Sequence, residues 1–446
     1  MKLGGNANCD LAPSCLRKEP GEAGGIKSSI RVDIGHPSSS HPSVACVRNE
    51  TNIINCLQLP SWINFDQWES FKAATPLISL SIMPPTNVQQ PLKAYNPPPP
   101  TKEDLDFADL ALVDFSKAST PEGRSELARQ IHDALRDVGF FYLVNHGYTS
   151  AQTAHIFDIA SATFDLVSDE EKRDYTGKDT SVYRGYKPRK AWIIDPGVRD
   201  EIENYAVHRN VTAQDHPAIL RPFLPELAAF TRHNHDNILQ TVLRLLSLSM
   251  ELPEDTLTKM HEFDAAGQSA MSFIKYHPRG ECDAPEGSNV WLKGHTDIGT
   301  VTILYSQPIG GLQILSKDNK WRWIKHIPNA IVINVGDGIE YLSGGYYTAT
   351  RHRVIQPPLD QRNIPRLGVF YFAMANDNVK LSPLEHSPLL QKEGIKNYFE
   401  ADMVPTMEEW RKERTLRYGR SELKPSATEE RVEEESIRGT VIKHYN

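Results

Sequence analysis

The second half of the chain, from about Ser269 onward, alternates apolar and polar residues, with turn residues between the runs. A period of two is typical of β-strands, because successive side chains point to opposite faces of a sheet. The pattern predicts eight short strands: Met271–His277, Val290–Thr296, Thr300–Tyr305, Leu312–Leu315, Trp321–Ile324, Ala330–Val335, Thr350–Ile355 and Leu367–Ala373. Strands at this spacing favour a sandwich or barrel, with a double-stranded β-helix (jelly roll) as one arrangement.

The preceding part of the chain has mainly helical spacing. Apolar residues recur every three or four positions in three stretches, at 121–138, 150–167 and 225–250. Each stretch predicts a helix with one buried face. Two apolar runs, Ala111–Phe115 and Phe140–Val144, predict short strands. The predicted fold class is therefore mainly β with flanking helices, and the helices pack on the outside of a jelly-roll core.

The two ends of the chain differ from this centre. Of the 31 prolines, 13 fall in the first 100 residues and end in the run Pro97–Pro100. This composition predicts a mostly disordered region with a stiff proline spacer. The charged mixture after Met407 predicts a solvated C-terminal helix. Four parts are predicted: a disordered proline-rich region (1–104), an N-terminal helical and strand module (110–265), a jelly-roll core (268–376) and a C-terminal helical extension (377–446).

Composition narrows the class of protein. The 446 residues carry a net charge of −8, which argues against a nucleic-acid partner because such a partner needs a basic surface. There is no apolar run long enough to span a membrane and no apolar core of a signal peptide. The five cysteines fit no zinc or redox motif, which favours free thiols in a reducing compartment. A cytoplasmic protein without a membrane partner is expected, and its oligomeric state stays open.

Three residues form the first candidate site. His295 and Asp297 end a predicted strand, and residues two apart point to the same face. His352 lies 55 positions after Asp297 on another predicted strand. Two histidines and one carboxylate on facing strands make the facial triad, which binds iron(II) and leaves coordination positions open. Each residue alone could equally be an ordinary core or surface residue.

A positive charge completes the constellation. Arg366 precedes an otherwise apolar strand, and its guanidinium group can bind a carboxylate through two hydrogen bonds. In the mouth of a barrel it could hold the far end of a dicarboxylic cosubstrate. Two alternatives remain: Arg366 could be a surface residue paired with Asp360 or Asp377, and Arg362 could take its place.

Several short motifs of the sequence resemble those of one known family. Between His295 and Val354, beside the triad, the matching segments are Gly311–Gln313, Trp323, Ala330–Asp337, Leu342–Ser343 and His352–Val354. Upstream, Gly139–Phe141 and Asn145–Gly147 match as well. Together they resemble the iron(II)/2-oxoglutarate-dependent dioxygenases of the isopenicillin N synthase-like type, over about residues 110 to 400. The sequence as a whole resembles the fungal members of this family that modify secondary metabolites.

The resemblance implies roles for five residues. His295, Asp297 and His352 would be the catalytic iron ligands, Arg366 would bind the remote carboxylate of 2-oxoglutarate, and Tyr276 would assist it. Three features depart from the family pattern.

The usual serine two residues after the arginine is Gly368. His277 stands where a cosubstrate-binding tyrosine often lies. The loop between His352 and Arg366 is longer than usual. The missing hydroxyl would weaken cosubstrate binding by about 1 kcal/mol.

The implied activity is that of an oxidoreductase. With Fe(2+), 2-oxoglutarate and molecular oxygen, and with ascorbate as a further reductant, the enzyme would hydroxylate, desaturate or cyclise a small organic molecule. Tyr183, Tyr186, Trp192 and Tyr205 suggest an apolar or aromatic substrate, with the 277–292 loop and the C-terminal helix as further pocket walls. Two alternatives stay open: an iron oxidase of the same fold that does not use 2-oxoglutarate, and a non-catalytic binding module on this barrel.

Overall fold

The computed structural model describes residues 31–34, 44–48, 54–58, 92–177, 184–195, 198–279, 289–417, 423–429 and 432–445. It divides into two compact units, Met1–Gln89 and Gln90–Asn446. In the first unit, strands β1 (Arg31–Ile34), β2 (Val44–Arg48) and β3 (Ile54–Gln58) pair antiparallel in that order. The remainder of the segment predicted to be disordered, up to Pro91, lies outside the described residues.

The second unit contains two large sheets. Its strands are β4 (Leu112–Asp114), β5 (Phe140–Val144), β6 (Gly185–Lys187), β7 (Ile193–Asp195), β8 (Val198–Arg199), β9 (Ile202–His208), β10 (Ala270–Tyr276), β11 (Val290–His295), β12 (Val301–Tyr305), β13 (Leu312–Leu315), β14 (Trp321–Trp323), β15 (Ile331–Val335), β16 (His352–Ile355), β17 (Arg366–Ala373), β18 (Lys424–Pro425), β19 (Val432–Ile437) and β20 (Thr440–Tyr445). The larger sheet has the order β4-β5-β15-β12-β17-β10-β9-β6, and the smaller has the order β14-β13-β16-β11-β20-β19-β18.

The predicted jelly roll lies at the centre of these sheets. The four strands β15-β12-β17-β10 face the four strands β14-β13-β16-β11, and all pairs within each set are antiparallel. Side chains from both sets pack into one interior cluster, including Tyr276, Trp291, Leu312 and Phe370. All eight predicted strands are present with bounds shifted by at most two residues. The predicted fold class is confirmed.

Eight helices are described, and buried residues of most of them share one apolar cluster with strands of the larger sheet. They are α1 (Pro121–Asp137), α2 (Ser150–Asp165), α3 (Asp169–Asp174), α4 (Leu224–Arg232), α5 (Gln240–Ser249), α6 (Asp337–Leu342), α7 (Pro388–Glu393) and α8 (Met407–Arg417). Short 3₁₀ turns lie at Phe115–Ser119, Val211–Ala213, Arg221–Phe223, Thr258–Met260 and Leu359–Gln361. The predicted helix at 225–250 is α4 and α5 joined by a π-helical segment, His233–Leu239. Its buried leucines pack with outward-facing residues of β12 and β17.

The N-terminal prediction differs from the structure at residues 92–104. This stretch lies in the second unit and bonds to both the helical module and the jelly-roll core: the Tyr95 amide donates to Asp158 at 2.7 Å, and the Pro99 carbonyl accepts from Gln361 at 2.9 Å. The prolines of this segment have no backbone N–H, so Pro99 contributes a carbonyl acceptor, while the non-proline residues Tyr95 and Lys102 donate backbone amides. The sequence carries no local signal for such long-range contacts.

The C-terminal prediction of a helical extension is wrong after α8. Strands β19 and β20 form a hairpin, and β20 pairs with β11 at Gly294. The helix α8 is also not solvated, because Met407, Trp410 and Arg414 on one of its faces are fully buried. Their alternation with charged neighbours at a helical period is compatible with a solvated or a half-buried helix, and tertiary packing decides between the two. None of the described helices is long and apolar enough to cross a membrane.

Candidate metal centre and ligand cavity

Two paired strands bring the triad together. His295 is the last residue of β11, His352 is the first of β16, and the two stand opposite each other in the antiparallel pair. Their ring centres are 4.4 Å apart. Asp297 follows two residues after His295, and its Oδ1 lies 3.9 Å from Nε2 of His295 and 3.6 Å from Nε2 of His352. One nitrogen or oxygen of each residue therefore surrounds a common point, with all three within 4.8 Å of one another.

Hydrogen bonds on the far side orient each of the three groups. Nδ1 of His295 donates to the Lys293 carbonyl at 2.8 Å, and Nδ1 of His352 donates to the Thr350 carbonyl at 3.1 Å. These bonds place the proton on Nδ1 and turn the Nε2 lone pair toward the common point, as in metal-binding histidines.

Asp297 is fixed through its second oxygen. Oδ2 accepts from the Thr302 hydroxyl at 2.6 Å and from the Asn334 amide at 2.8 Å. Oδ1 is left to face the histidines.

The protonation states suit a metal ion. Burial lowers the pKa of His295 to about 3, and the neighbouring His352 contributes to that lowering, so the imidazole is neutral near pH 7. Burial alone would raise the pKa of Asp297, but the two histidines and the bonds from Thr302 and Asn334 leave it below its usual value. Neutral imidazoles and an ionised carboxylate are the forms that bind metal. Two nitrogens and one oxygen also match the donor set of iron(II) oxygenases, which leaves coordination positions for other ligands.

Arg366 and Tyr276 lie side by side inside the barrel. They are partners across β17 and β10, and the Arg366 guanidinium carbon is 5.5 Å from the centre of the Tyr276 ring. Arg366 is 4% exposed, and its Nε and Nη1 have no hydrogen-bond partner among the described residues. Buried donors without an acceptor are costly, and a carboxylate would satisfy both. The predicted pairings with Asp360 or Asp377 are not formed, since Asp360 binds Thr101 and Lys102.

Tyr276 connects this arginine to the triad. It borders the same cavity as His295 and Asp297. Burial raises its pKa to about 12, Arg366 lowers it, and Asp297 raises it, so the phenol lies within the field of both charges. It also stacks on Trp291 at 5.5 Å. His277, by contrast, turns away and bonds to Glu203 at 3.3 Å.

Gly368 is required by its neighbour. A Cβ at this position would come within 2.5 Å of the Phe370 ring, which stacks on Phe372 at 5.2 Å. The space of the family's usual serine side chain is therefore filled by an aromatic ring in this chain. Arg362, the alternative to Arg366, bonds instead to Asn289 at 3.1 Å and is not part of the interior.

The triad opens onto a cavity between the two sheets. Its empty volume is about 980 Å³, which includes space open to solvent. Much of its wall is apolar, formed by Trp192, Ile202, Ile274, Leu292, Phe372 and Met374, and polar groups come from Asn204, Gln268, Ser272 and Arg411. Such a lining is typical of a small-molecule site with a few orienting polar groups.

The predicted aromatic wall is only partly formed. Trp192 borders the cavity, and its ring lies 4.1 Å from the Lys187 ammonium group, while its amide donates to Asp200 at 2.6 Å. Tyr186 and Tyr205 contact each other with tilted rings, 4.5 Å between centres, on the helical side of the sheet, so the prediction is wrong for them. Tyr183 lies outside the described residues. The strand β9 was not predicted from the sequence. Recognising its alternation would have shown which of its side chains face the cavity and which face the helices.

The C-terminal helix was expected to form part of the pocket wall, and α8 does so. Arg411 of α8 borders the cavity. Arg414, one turn later and fully buried, lies 3.4 Å from Asp337, 3.4 Å from Glu435 and 3.4 Å from the Thr296 carbonyl. Arg414 therefore anchors Thr296, the residue between His295 and Asp297. Local sequence could show the helical stripe but not its docking partner.

Comparisons with known proteins agree with this site. Residues 110–226 match the family model described as non-haem dioxygenase in morphine synthesis N-terminal, and residues 268–374 match that of the 2OG-Fe(II) oxygenase superfamily. The chain belongs to this family, the iron(II)- and 2-oxoglutarate-dependent dioxygenases of the isopenicillin N synthase-like type.

Individual relatives support the same class. The chain is 31% identical over 298 residues to 2-oxoglutarate-dependent dioxygenase frbH of Dothideomycetidae sp., covering 63% of this chain and 86% of the relative. It is 25% identical over 305 residues to scopoletin 8-hydroxylase of Arabidopsis thaliana, covering 68% and 80%. A full-length Neurospora crassa protein, solved in complex with alpha-KG, has a TM-score of 0.60 at 21% identity, covering 69% of this chain and 96% of that one, which supports the fold.

The protein is therefore an oxidoreductase that uses Fe(2+), 2-oxoglutarate and molecular oxygen on a small molecule. Of the functions considered from the sequence, the comparisons favour this one over an iron oxidase without 2-oxoglutarate or a non-catalytic binding module.

Proposed function

We propose that His295, Asp297 and His352 ligate the iron, through Nε2 of each histidine and Oδ1 of the aspartate. The convergence of these three atoms within 4.8 Å carries the proposal. It is supported by the outward bonds that fix each group, by the neutral imidazole of His295 and by the ionised carboxylate of Asp297. Arg366 binds the remote carboxylate of 2-oxoglutarate through its two unpartnered donors, and Tyr276 lies beside it.

Iron held by His295, Asp297 and His352 would, together with 2-oxoglutarate and oxygen, supply the oxidant for an unactivated C–H bond, with succinate and carbon dioxide as the products of the cosubstrate. The chain's own residues position the reactants. Asp297 and the histidines hold the centre on one side, and Arg366 and Tyr276 fix the far end of the cosubstrate. The apolar wall keeps water from the reacting C–H bond and holds the substrate toward the open face of the triad.

The substrate is an apolar or aromatic small molecule of secondary metabolism. The cavity wall of Trp192, Phe372 and aliphatic residues supports this class. Relatives point the same way, since one is named scopoletin 8-hydroxylase and another flavonol synthase/flavanone 3-hydroxylase. Hydroxylation is the first reaction to test, and desaturation or cyclisation would follow from a second hydrogen loss on the same site.

The protein acts in the cytoplasm without a nucleic-acid or membrane partner. The net charge of −8 supports this, because it repels polyphosphate and anionic lipid surfaces. Cell fractionation with an antibody against the chain tests it, and enrichment in a membrane or nuclear fraction would contradict it.

The activity is tested by anaerobic reconstitution with Fe(II) and ascorbate, followed by measurement of succinate with and without 2-oxoglutarate, oxygen and cell extract. Extract from cells lacking the protein should contain a compound that stimulates succinate formation and that mass spectrometry finds increased by the mass of one oxygen atom, or decreased by two hydrogens. Wild-type turnover that needs no 2-oxoglutarate would overturn the cosubstrate role of Arg366.

A further inference from the structure

The loop between His352 and Arg366, expected from the sequence to be longer than usual, contacts the N-terminal segment through Asp360 and Gln361. Leu359–Gln361 form a short 3₁₀ turn in this loop. Asp360 accepts from the Thr101 hydroxyl at 2.7 Å and from the Lys102 amide at 2.9 Å. We call residues 92–104 the strap, because they run in extended form along this turn.

Gln361 joins the strap to a third segment. Its side chain is buried, with 2% exposure. Nε2 donates to the Pro99 carbonyl of the strap at 2.9 Å and to the Pro308 carbonyl at 3.1 Å, while Oε1 accepts from the Gly310 amide at 2.9 Å. Both hydrogens and the oxygen of one amide group are thus used to hold two separate segments.

The segment that Gln361 holds lies against Arg366. A Cβ built on Gly311 would lie 3.2 Å from Cδ of Arg366 and 3.5 Å from its Nε, so the backbone of Gly311 packs directly on the arginine side chain. The two unpartnered donors of Arg366 leave its direction undetermined by hydrogen bonds of its own. Packing against the Gly311 backbone and the neighbouring Tyr276 ring therefore helps to set that direction.

The strap also approaches the same arginine. Tyr95 stacks on Phe157 at 5.8 Å, and its amide donates to Asp158 at 2.7 Å. Its hydroxyl is close enough to Arg366 for the guanidinium to act on the pKa of the phenol. The strap is thus fixed at two points, one near Tyr95 and one near Thr101, and the first of these is close to Arg366.

We propose that Gln361 is a positioning residue for the cosubstrate: it couples the strap to the Pro308–Gly311 segment and so fixes Arg366 for the remote carboxylate of 2-oxoglutarate. This rests on the proposed function of Arg366. The strap is then part of the cosubstrate site of this chain, although it contributes no ligand. It also gives a reason for the longer loop, which supplies the residues that the strap binds.

Gln361→Met tests the proposal, because methionine keeps the length of the side chain and removes three hydrogen bonds. We expect the KM for 2-oxoglutarate to rise about tenfold, because the net free energy of one to two hydrogen bonds no longer holds Arg366 in its binding position. The kcat at saturating cosubstrate and the KM for the organic substrate should change less than about twofold. The matched control is Gln391→Met, at an exposed glutamine of α7 that donates to the Glu385 carbonyl.

A second measurement separates positioning from loss of folded protein. 2-Oxoadipate is one methylene longer than 2-oxoglutarate and yields glutarate instead of succinate. A loosened Arg366 accepts both lengths, so the ratio of kcat/KM values for the two acids should fall in Gln361→Met. A merely structural defect would lower both values equally and would overturn the proposal. If Gln361→Met does not fold, Gln361→Asn keeps the amide but withdraws it by one methylene, with the same expected direction.

The two proposals fail differently. If Arg366→Gln leaves the KM for 2-oxoglutarate unchanged, the proposed role of Arg366 is wrong. If Arg366→Gln raises that KM and Gln361→Met leaves both KM and the ratio at wild-type values, only the positioning role of Gln361 is wrong.

Discussion

The two ends of the barrel interior are built in opposite ways. At the metal end, each triad residue makes hydrogen bonds on the side away from the common point, and its ligating atom is the one left over. At the cosubstrate end, Arg366 has two donors without partners among the described residues, and backbone packing holds its side chain. A metal ion needs ligand atoms whose orientation is fixed in advance by hydrogen bonds. A flexible dicarboxylate can adjust to a guanidinium group that is held only by packing.

The largest effect is expected at the metal end. His352→Ala or Asp297→Ala removes one of three ligands and leaves the others too few to hold the ion, so substrate-dependent succinate formation should fall to background. Binding of Mn(II), followed by calorimetry, should be lost as well. His386→Ala, at an exposed histidine outside the site, serves as control. Turnover near the wild-type rate in either triad variant would refute the metal assignment.

At the cosubstrate end, the planar pair of guanidinium donors should contribute more to 2-oxoglutarate binding than the positive charge alone. Arg366→Lys keeps the positive charge but offers no planar pair of donors, and we expect the KM for 2-oxoglutarate to rise about 10- to 100-fold. Metal binding should remain at the wild-type level, which would separate the two ends of the interior experimentally. Equal losses of metal and cosubstrate binding in this variant would mean that the ends are not independent.

The outer bonds of Asp297 give an intermediate effect. Asn334→Ala and Thr302→Val each remove one donor to Oδ2, and loss of such a bond typically weakens metal affinity about 10- to 100-fold. Fe(II) titration of each variant measures this, and Thr212→Val, at an exposed threonine in a 3₁₀ turn, is the control. Unchanged affinity in both variants would show that Oδ1 needs no such support.

The smallest effect concerns Gly368. Restoring the family's serine with Gly368→Ser would press Cβ into the Phe370 ring and should lower the free energy of unfolding by about 1–3 kcal/mol, with no gain in cosubstrate affinity. The double variant Gly368→Ser with Phe370→Leu relieves the contact and should bind 2-oxoglutarate more tightly than Phe370→Leu alone. Thermal unfolding and KM measurements decide. If the single serine variant already binds more tightly, the ring does not block the position.

Much of the core and the triad could be predicted from the sequence, because period-two strands and a metal-binding motif are local signals. All eight jelly-roll strands and the meeting of His295 with His352 follow from them. Three features could not be found this way. The docking of the strap, the hairpin after α8 and the inward turn of Tyr276 rather than His277 depend on long-range pairing, which no window of sequence contains.

Tyr276 shows most clearly what the sequence alone cannot predict about strand faces. A shift of one residue in strand register exchanges the two faces, and only the pairing of Tyr276 with Arg366 fixes which side chain points inward. The same uncertainty affected Tyr186 and Tyr205, whose neighbours in sequence gave no alternation clear enough to assign a face.

The hairpin of β19 and β20 has a practical consequence for anyone producing the enzyme. Because β20 pairs with β11 at Gly294, directly before His295, this strand covers what would otherwise be an open sheet edge beside the proposed metal site. A purification tag fused next to β20, or a truncation that removes it, would act on the reaction centre itself, so an affinity handle belongs elsewhere in the molecule.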